Sequence, residues 1–203
     1  VMFLDVNTLV EPVSIGPALG PPDSPEGIPL QRGIRRARED GATVVWCHNR
    51  RGYEDIPNWI LGDIDAQNIF DNGSMKRIAN GVQGTGLYRD SFYRYYNIGM
   101  HIPFSTGTDF LLFDFSRVYV PGRSPLSSDA WLQGLRDGKS FITNGPLLEF
   151  SINGLGIGET LNLDQPETIR VTARGIGRSD FSALELIFNG NVVYTASNRP
   201  VEG

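Results

Sequence analysis

A single cysteine in 203 residues excludes any disulfide within the chain, so its core rests on packing and hydrogen bonds alone. No apolar run approaches the ~20 residues that a membrane span needs, and Val1 to Val6 lack the basic stretch that opens a secretion signal. Basic charge is also short. Lys and Arg number 18 against 23 Asp and Glu, for a net charge of -5 and a pI near 5.0, which argues against a nucleic-acid partner. The local exception, Arg32, Arg35, Arg36 and Arg38, runs straight into Glu39 and Asp40 and reads as the solvated face of a helix. These absences describe a soluble chain with neither nucleic acid nor membrane as partner. They leave the compartment open, with secretion or a periplasmic location compatible.

What is present is organised around Ala42 to Arg51. Here a continuous apolar run stops on His48, directly after a helix expected from Pro29 to Gly41, with Leu30, Ile34 and Ala37 on one face. Such a run is the signature of a strand buried on both faces. Alternation puts Val44, Trp46 and His48 on one side and Thr43, Val45 and Cys47 on the other. Upstream, Val1 to Val6 reads as a strand, Leu9 to Val13 as a second, and residues 16–29 as a long loop. Downstream, a short helix capped by Asp55, a strand from Ala66 to Phe70, a helix from Leu87 to Asn97 and a strand from Ile102 to Ser105 are expected. A helix from Asp129 to Asp137 follows, stopped by Gly138. The period then changes to two, as in Leu148, Phe150 and Ile152 or Leu184, Leu186 and Phe188, and Asn189-Gly190 marks a hairpin. This division predicts an α/β part over residues 1–143 and an incomplete antiparallel β module over 144–203.

Chemistry concentrates on two residues that follow apolar strands. His48 and Asp109 are suitable ligands for a divalent metal such as zinc, manganese or iron, which makes hydroxide available near neutral pH. Two ligands are too few for a catalytic site, and the alternative is a hydrogen-bonded strand-end histidine with a turn aspartate. Asn49, Arg50 and Arg51 flank the same opening and suit an anionic group of a small-molecule substrate. His101 precedes its strand and reads as structural, and Cys47 as a packed thiol. A serine triad through Ser105 or Ser116 lacks a nucleophile elbow, and Gly81, Gly84 and Gly86 lack dinucleotide spacing.

Taken in order, three segments resemble the carbaryl-hydrolase-like (CehA/McbA-type) branch of the PHP metallohydrolases. They are GlyAlaThrValValTrpCysHis, PheSerThrGlyThrAsp before SerArgValTyrVal, and AspGlyLysSerPheIleThrAsnGlyProLeuLeuGluPheSerIleAsnGly. The resemblance implies the C-terminal part of a distorted (β/α)7 barrel followed by a sandwich-like antiparallel β module. It further implies hydrolysis of an ester, amide, carbamate or phosphoester bond by a metal-activated water, with His48 and Asp109 as metal ligands. The family's His-x-His pair has no counterpart upstream of His48, and its histidine two residues after the last aspartate is here Leu111. The remaining ligands are therefore expected on an N-terminal segment of the same protein. The competing expectation is a non-catalytic carbohydrate- or protein-binding module on a degenerate scaffold of this kind.

Overall fold

Thr43, Val44, Val45 and Trp46 are all buried, and a strand buried on both faces requires apolar cover on each. A computed structural model of the chain describes residues 1–10, 29–47, 54–70, 86–107, 116–122, 125–178 and 181–197. In it this stretch is β2 (Thr43–Trp46), the second strand of a four-stranded sheet. The sheet runs in the order β1 (Met2–Leu4), β2, β3 (Ala66–Phe70) and β4 (Phe104–Thr106). β1 pairs antiparallel to β2, with Phe3 opposite Val44, while β2, β3 and β4 are mutually parallel.

Helices α1 (Gln31–Glu39), α2 (Asp55–Ile60) and α3 (Gly86–Asn97) cover one face. Right-handed crossovers between parallel strands in the order β2, β3, β4 put α2 and α3 on the same side. There Val44 and Trp46 pack with Ile34 and Ala37 of α1, and Ile69 packs with Phe92 of α3. The other face carries Val45 and Ala66 against Leu135 of α4 (Ser128–Arg136) and Val118 of β5 (Arg117–Tyr119). Ser127 caps α4 by accepting from the Ala130 N–H at 3.2 Å. Gly134 lets the helix close on β5, since a Cβ there would meet Val120 Cγ1 at 2.3 Å.

The remaining strands form antiparallel pairs. β5 pairs with β6 (Phe141–Thr143), β7 (Leu147–Ile152) with β8 (Val171–Ile176), and β9 (Ala183–Phe188) with β10 (Asn191–Ser197). Asn189 and Gly190, with φ of 50° and 83°, make the β9–β10 turn that the sequence predicts, because both central positions of that turn need positive φ. No described residue from 141 to 197 is fully buried. The inner faces of β7–β8 and β9–β10 instead line, with Phe104 and Phe141, a cavity of about 500 Å³.

This architecture corrects the expected (β/α)7 barrel. Among the described residues the parallel run is three strands long, β1 borders it in the opposite sense, and no pairing joins β4 back to β1. Neighbouring strands turn by only ~20–25°, so three parallel strands remain an open sheet. An apolar run such as β2 is required equally by a barrel and by an open sheet covered on both faces, which is why the pattern alone pointed to the wrong closure. The stretch 11–13 of the expected second strand lies outside the described residues, and Leu9 and Val10 are not in a strand.

Leu135 is fully buried where α4 meets β2 and β3. Leu135→Ala is expected to lower the unfolding free energy by about 2–5 kcal/mol, read from the urea midpoint. An unchanged midpoint would show that α4 does not seal this face.

Candidate functional site

The C-terminal ends of β2, β3 and β4 fall on one edge, the edge at which open parallel sheets bind ligands. The last described residue after β2 is Cys47, and the last after β4 is Gly107. His48 is the next residue in one case, and Asp109 is two further on in the other. His48, Asp109, Asn49, Arg50 and Arg51 all lie outside the described residues, as do Gly81, Gly84 and Leu111. What the structure describes is the floor of this edge, the strands from which these candidates follow in sequence.

That floor is polar where a parallel strand is normally aliphatic. Gln67 and Asn68 of β3 are both buried, on opposite faces as alternation requires. On the helix-covered face, Gln67 Nε2 donates to Asp55 Oδ2 at 3.4 Å. Asp55 is the first residue of α2 and only 6% exposed, and burial pushes its carboxyl above the ordinary range. The Ile56 N–H and the Gln67 amide oppose that shift by favouring the charged form. Burial also raises the Tyr95 hydroxyl pKa, and the nearby Asp55 charge adds to it. Asn58 Oδ1 of α2 and Trp46 Nε1 of β2 are buried and have no hydrogen-bond partner among the described residues.

On the opposite face, Asn68 Nδ2 donates to Cys47 Sγ at 3.2 Å. Asn68 is 4% exposed, and its Oδ1 accepts no hydrogen bond among the described residues. An unmet buried carbonyl of this kind costs on the order of 1–3 kcal/mol, a cost that a bound cation or donor removes. Gly107 adjoins the same side chain: a Cβ there would make an ordinary contact with Asn68 Nδ2 at 3.4 Å. Among the described residues, no group of three His, Cys, Asp or Glu side chains stands close enough to hold a metal. An orphaned amide oxygen does fit a divalent ion, for which carbonyl oxygens are ordinary ligands.

Sequence reasoning treated Asp55 as a cap and passed over Gln67 and Asn68. The N-cap of α2 is Glu54, and it makes no side-chain cap bond of its own. Its carboxylate instead accepts from the Leu30 and Gln31 N–H groups at 3.2 and 3.4 Å, and so caps α1 across the fold. The overlooked signal was AspAlaGlnAsnIlePhe itself, two consecutive amides inside an expected buried strand. His101 stands just before β4 at the other edge, exposed, with its ring 5.4 Å from that of Tyr96. The cavity there, about 570 Å³, is bordered by Trp59, Arg136 and Glu159. Its arginine is held by Thr43 Oγ1 at 2.5 Å and Gln133 Oε1 at 3.0 Å. Ser105 and Ser116 are buried, away from any hydrolytic role that depends on access.

Compared with models of protein families, with curated proteins and with solved structures, the chain shows no match. No helix of the described residues is long and apolar enough to cross a membrane.

Asp55 has a measurable signature. A carboxyl whose folded pKa exceeds its unfolded one stabilises the fold fully below the unfolded value of about 3.8, and that stability is lost as pH rises through the folded value. Asp55→Asn cannot ionise, so its unfolding free energy should gain on wild type as pH rises from the unfolded value of about 3.8 through the folded one. Denaturant titrations at a series of pH values check this, and a difference that does not change with pH would sink the assignment.

Proposed function

We propose that this chain forms part of a metal-dependent hydrolase that cleaves an ester, amide, carbamate or phosphoester bond with a metal-activated water. His48 and Asp109 are the ligands it contributes, and the remaining ligands come from a segment of the protein outside this chain. One observation carries the reading: β2 and β4 are parallel, and the stretches that hold His48 and Asp109 leave the same edge of the sheet, on either side of β3. The resemblance of GlyAlaThrValValTrpCysHis and PheSerThrGlyThrAsp to PHP metallohydrolases supports the same pair.

When bound, a divalent ion supplies water with a pKa near about 7 and polarises the scissile group. The chain's own residues do the rest. The buried polar floor of Asp55, Gln67 and Asn68 holds fixed dipoles beneath the edge, and Asn49, Arg50 and Arg51 suit an anionic part of the substrate.

A second reading, a non-catalytic binding module, draws on the cavity of about 500 Å³ between the two C-terminal ribbons. Its lining of Phe104, Phe141, Leu148, Phe150, Leu186 and Tyr194 suits an apolar protein segment better than a sugar.

Elemental analysis of the full-length protein should find a divalent ion, and His48→Ala or Asp109→Ala should weaken its retention by at least about tenfold and abolish hydrolysis of activated esters. This chain produced alone should show no hydrolysis. A full-length protein without bound divalent ion, whose ester hydrolysis survives His48→Ala, overturns the hydrolase; binding of one equivalent of an extended apolar peptide by that protein would favour the second reading.

A further inference from the structure

We infer that the cavity of about 570 Å³ beside His101 is a binding site for a small aromatic carboxylate, whatever the chemistry at the opposite edge of the sheet. It sits where the parallel strands begin: Pro103 precedes β4, and Arg136 of α4 reaches Thr43, the first residue of β2. Its volume lies within the roughly 300–1,000 Å³ of small-molecule sites. Arg136 is half-buried, and the two groups that fix it, Thr43 Oγ1 and Gln133 Oε1, are neutral. Two carboxylates also border the cavity, and each is engaged elsewhere. Asp137 accepts from Gln133 Nε2 at 2.7 Å and faces Lys139 at 3.8 Å, while Glu159 accepts from the Gly156 N–H. Arg136 makes no ion pair among the described residues. The last turn of α4 favours a cation, but it supplies no counter-charge to a guanidinium drawn partly out of water.

The planar guanidinium fork matches a carboxylate, and its two neutral anchors hold it in place before any guest arrives. The other walls are rings. Trp59, Tyr96 and Phe104 border the cavity half-buried, with Tyr96 stacked on Phe104 and edge-on to His101, both at 5.4 Å between ring centres. Their polar neighbours are spent: the Tyr96 hydroxyl donates to the Ile102 carbonyl at 2.7 Å, and Ser140 to the Phe104 carbonyl at 2.9 Å. A sugar would find few matching groups here, and a bare inorganic anion would leave the rings unused. A flat ring that carries one carboxylate uses both the aromatic walls and the unmatched charge.

The experiment is calorimetric titration of full-length protein at low salt with 2-naphthoate, with uncharged 2-naphthamide and ring-free acetate as controls and thermal melts of every variant. One equivalent of naphthoate should bind, and both controls should bind at least about tenfold more weakly. Arg136→Lys keeps the charge without the fork and should weaken naphthoate binding about tenfold. Thr160→Glu adds a negative charge at an exposed position of the cavity wall, away from the bonds that fix Arg136, and should weaken it about tenfold or more. An arginine that serves only to anchor α4 predicts altered melting in Arg136→Lys and no naphthoate binding in any form. Absence of naphthoate binding by the wild-type protein, equal binding of either control, or unchanged affinity in a folded Thr160→Glu overturns the site. None of these outcomes bears on metal retention by His48 and Asp109, so the hydrolase reading stands or falls separately.

Discussion

Two-sided burial of β2 is the constraint on which the rest of the α/β part depends. Val44 and Val45 have no exposed surface and Trp46 has 2%, and fully burying such side chains contributes roughly 1.5–3 kcal/mol each. That gain exists only if both faces are covered, which requires α1 on one side and α4 with β5 on the other. Carboxylates then lock the layers in place. Asp65 Oδ2 accepts from the Val44 N–H at 2.8 Å and from Arg38 of α1 at 3.0 Å, so one side chain joins the start of β2 to the end of the helix. Asp63 accepts from Gln31 at 2.9 Å near the start of that helix, where Glu54 also caps it. Asp40, in the turn after α1, accepts from the Asn7 and Thr8 N–H groups at 2.7 and 2.8 Å, and the Thr8 bond above all holds its carboxyl below the usual range.

β3 obeys the opposite demand. Its neighbours invite an aliphatic strand, yet it carries Gln67 and Asn68 into the interior. Local departure from what packing prefers is the mark of a position kept for another purpose. The departure falls between two apolar contacts of the same strand, Ala66 with Val45 before it and Ile69 with Phe92 after it.

The C-terminal ribbons contrast with both. A two-stranded ribbon is marginal in water by itself, and here neither pair buries a residue completely. They depend on the α/β part for support. Phe104 and Phe141 close one side of their shared cavity, and Asn97 of α3 donates to the Asn189 carbonyl at the hairpin tip at 3.3 Å. Phe188, Val192, Val193 and Tyr194 remain largely exposed along β9 and β10.

Much of the local structure was legible in the residues. The spacing of Ile34 and Ala37, the apolar run of β2, the Gly138 stop and Asn189-Gly190 each encode their element through contacts a few positions apart, and those elements stand where the pattern puts them. The candidates His48 and Asp109 were legible as residues that follow apolar strands, which is a statement about order along the chain. What only the tertiary structure decided is how the strands meet. β1 runs antiparallel to β2 and the sheet stays open, because closure depends on pairings between distant strands that a two-faced apolar run does not specify. Asp55 and Asn68 are in the same position: their types were visible, but the burial that raises one carboxyl and strands one amide oxygen arises only when α2 and β2 close over β3.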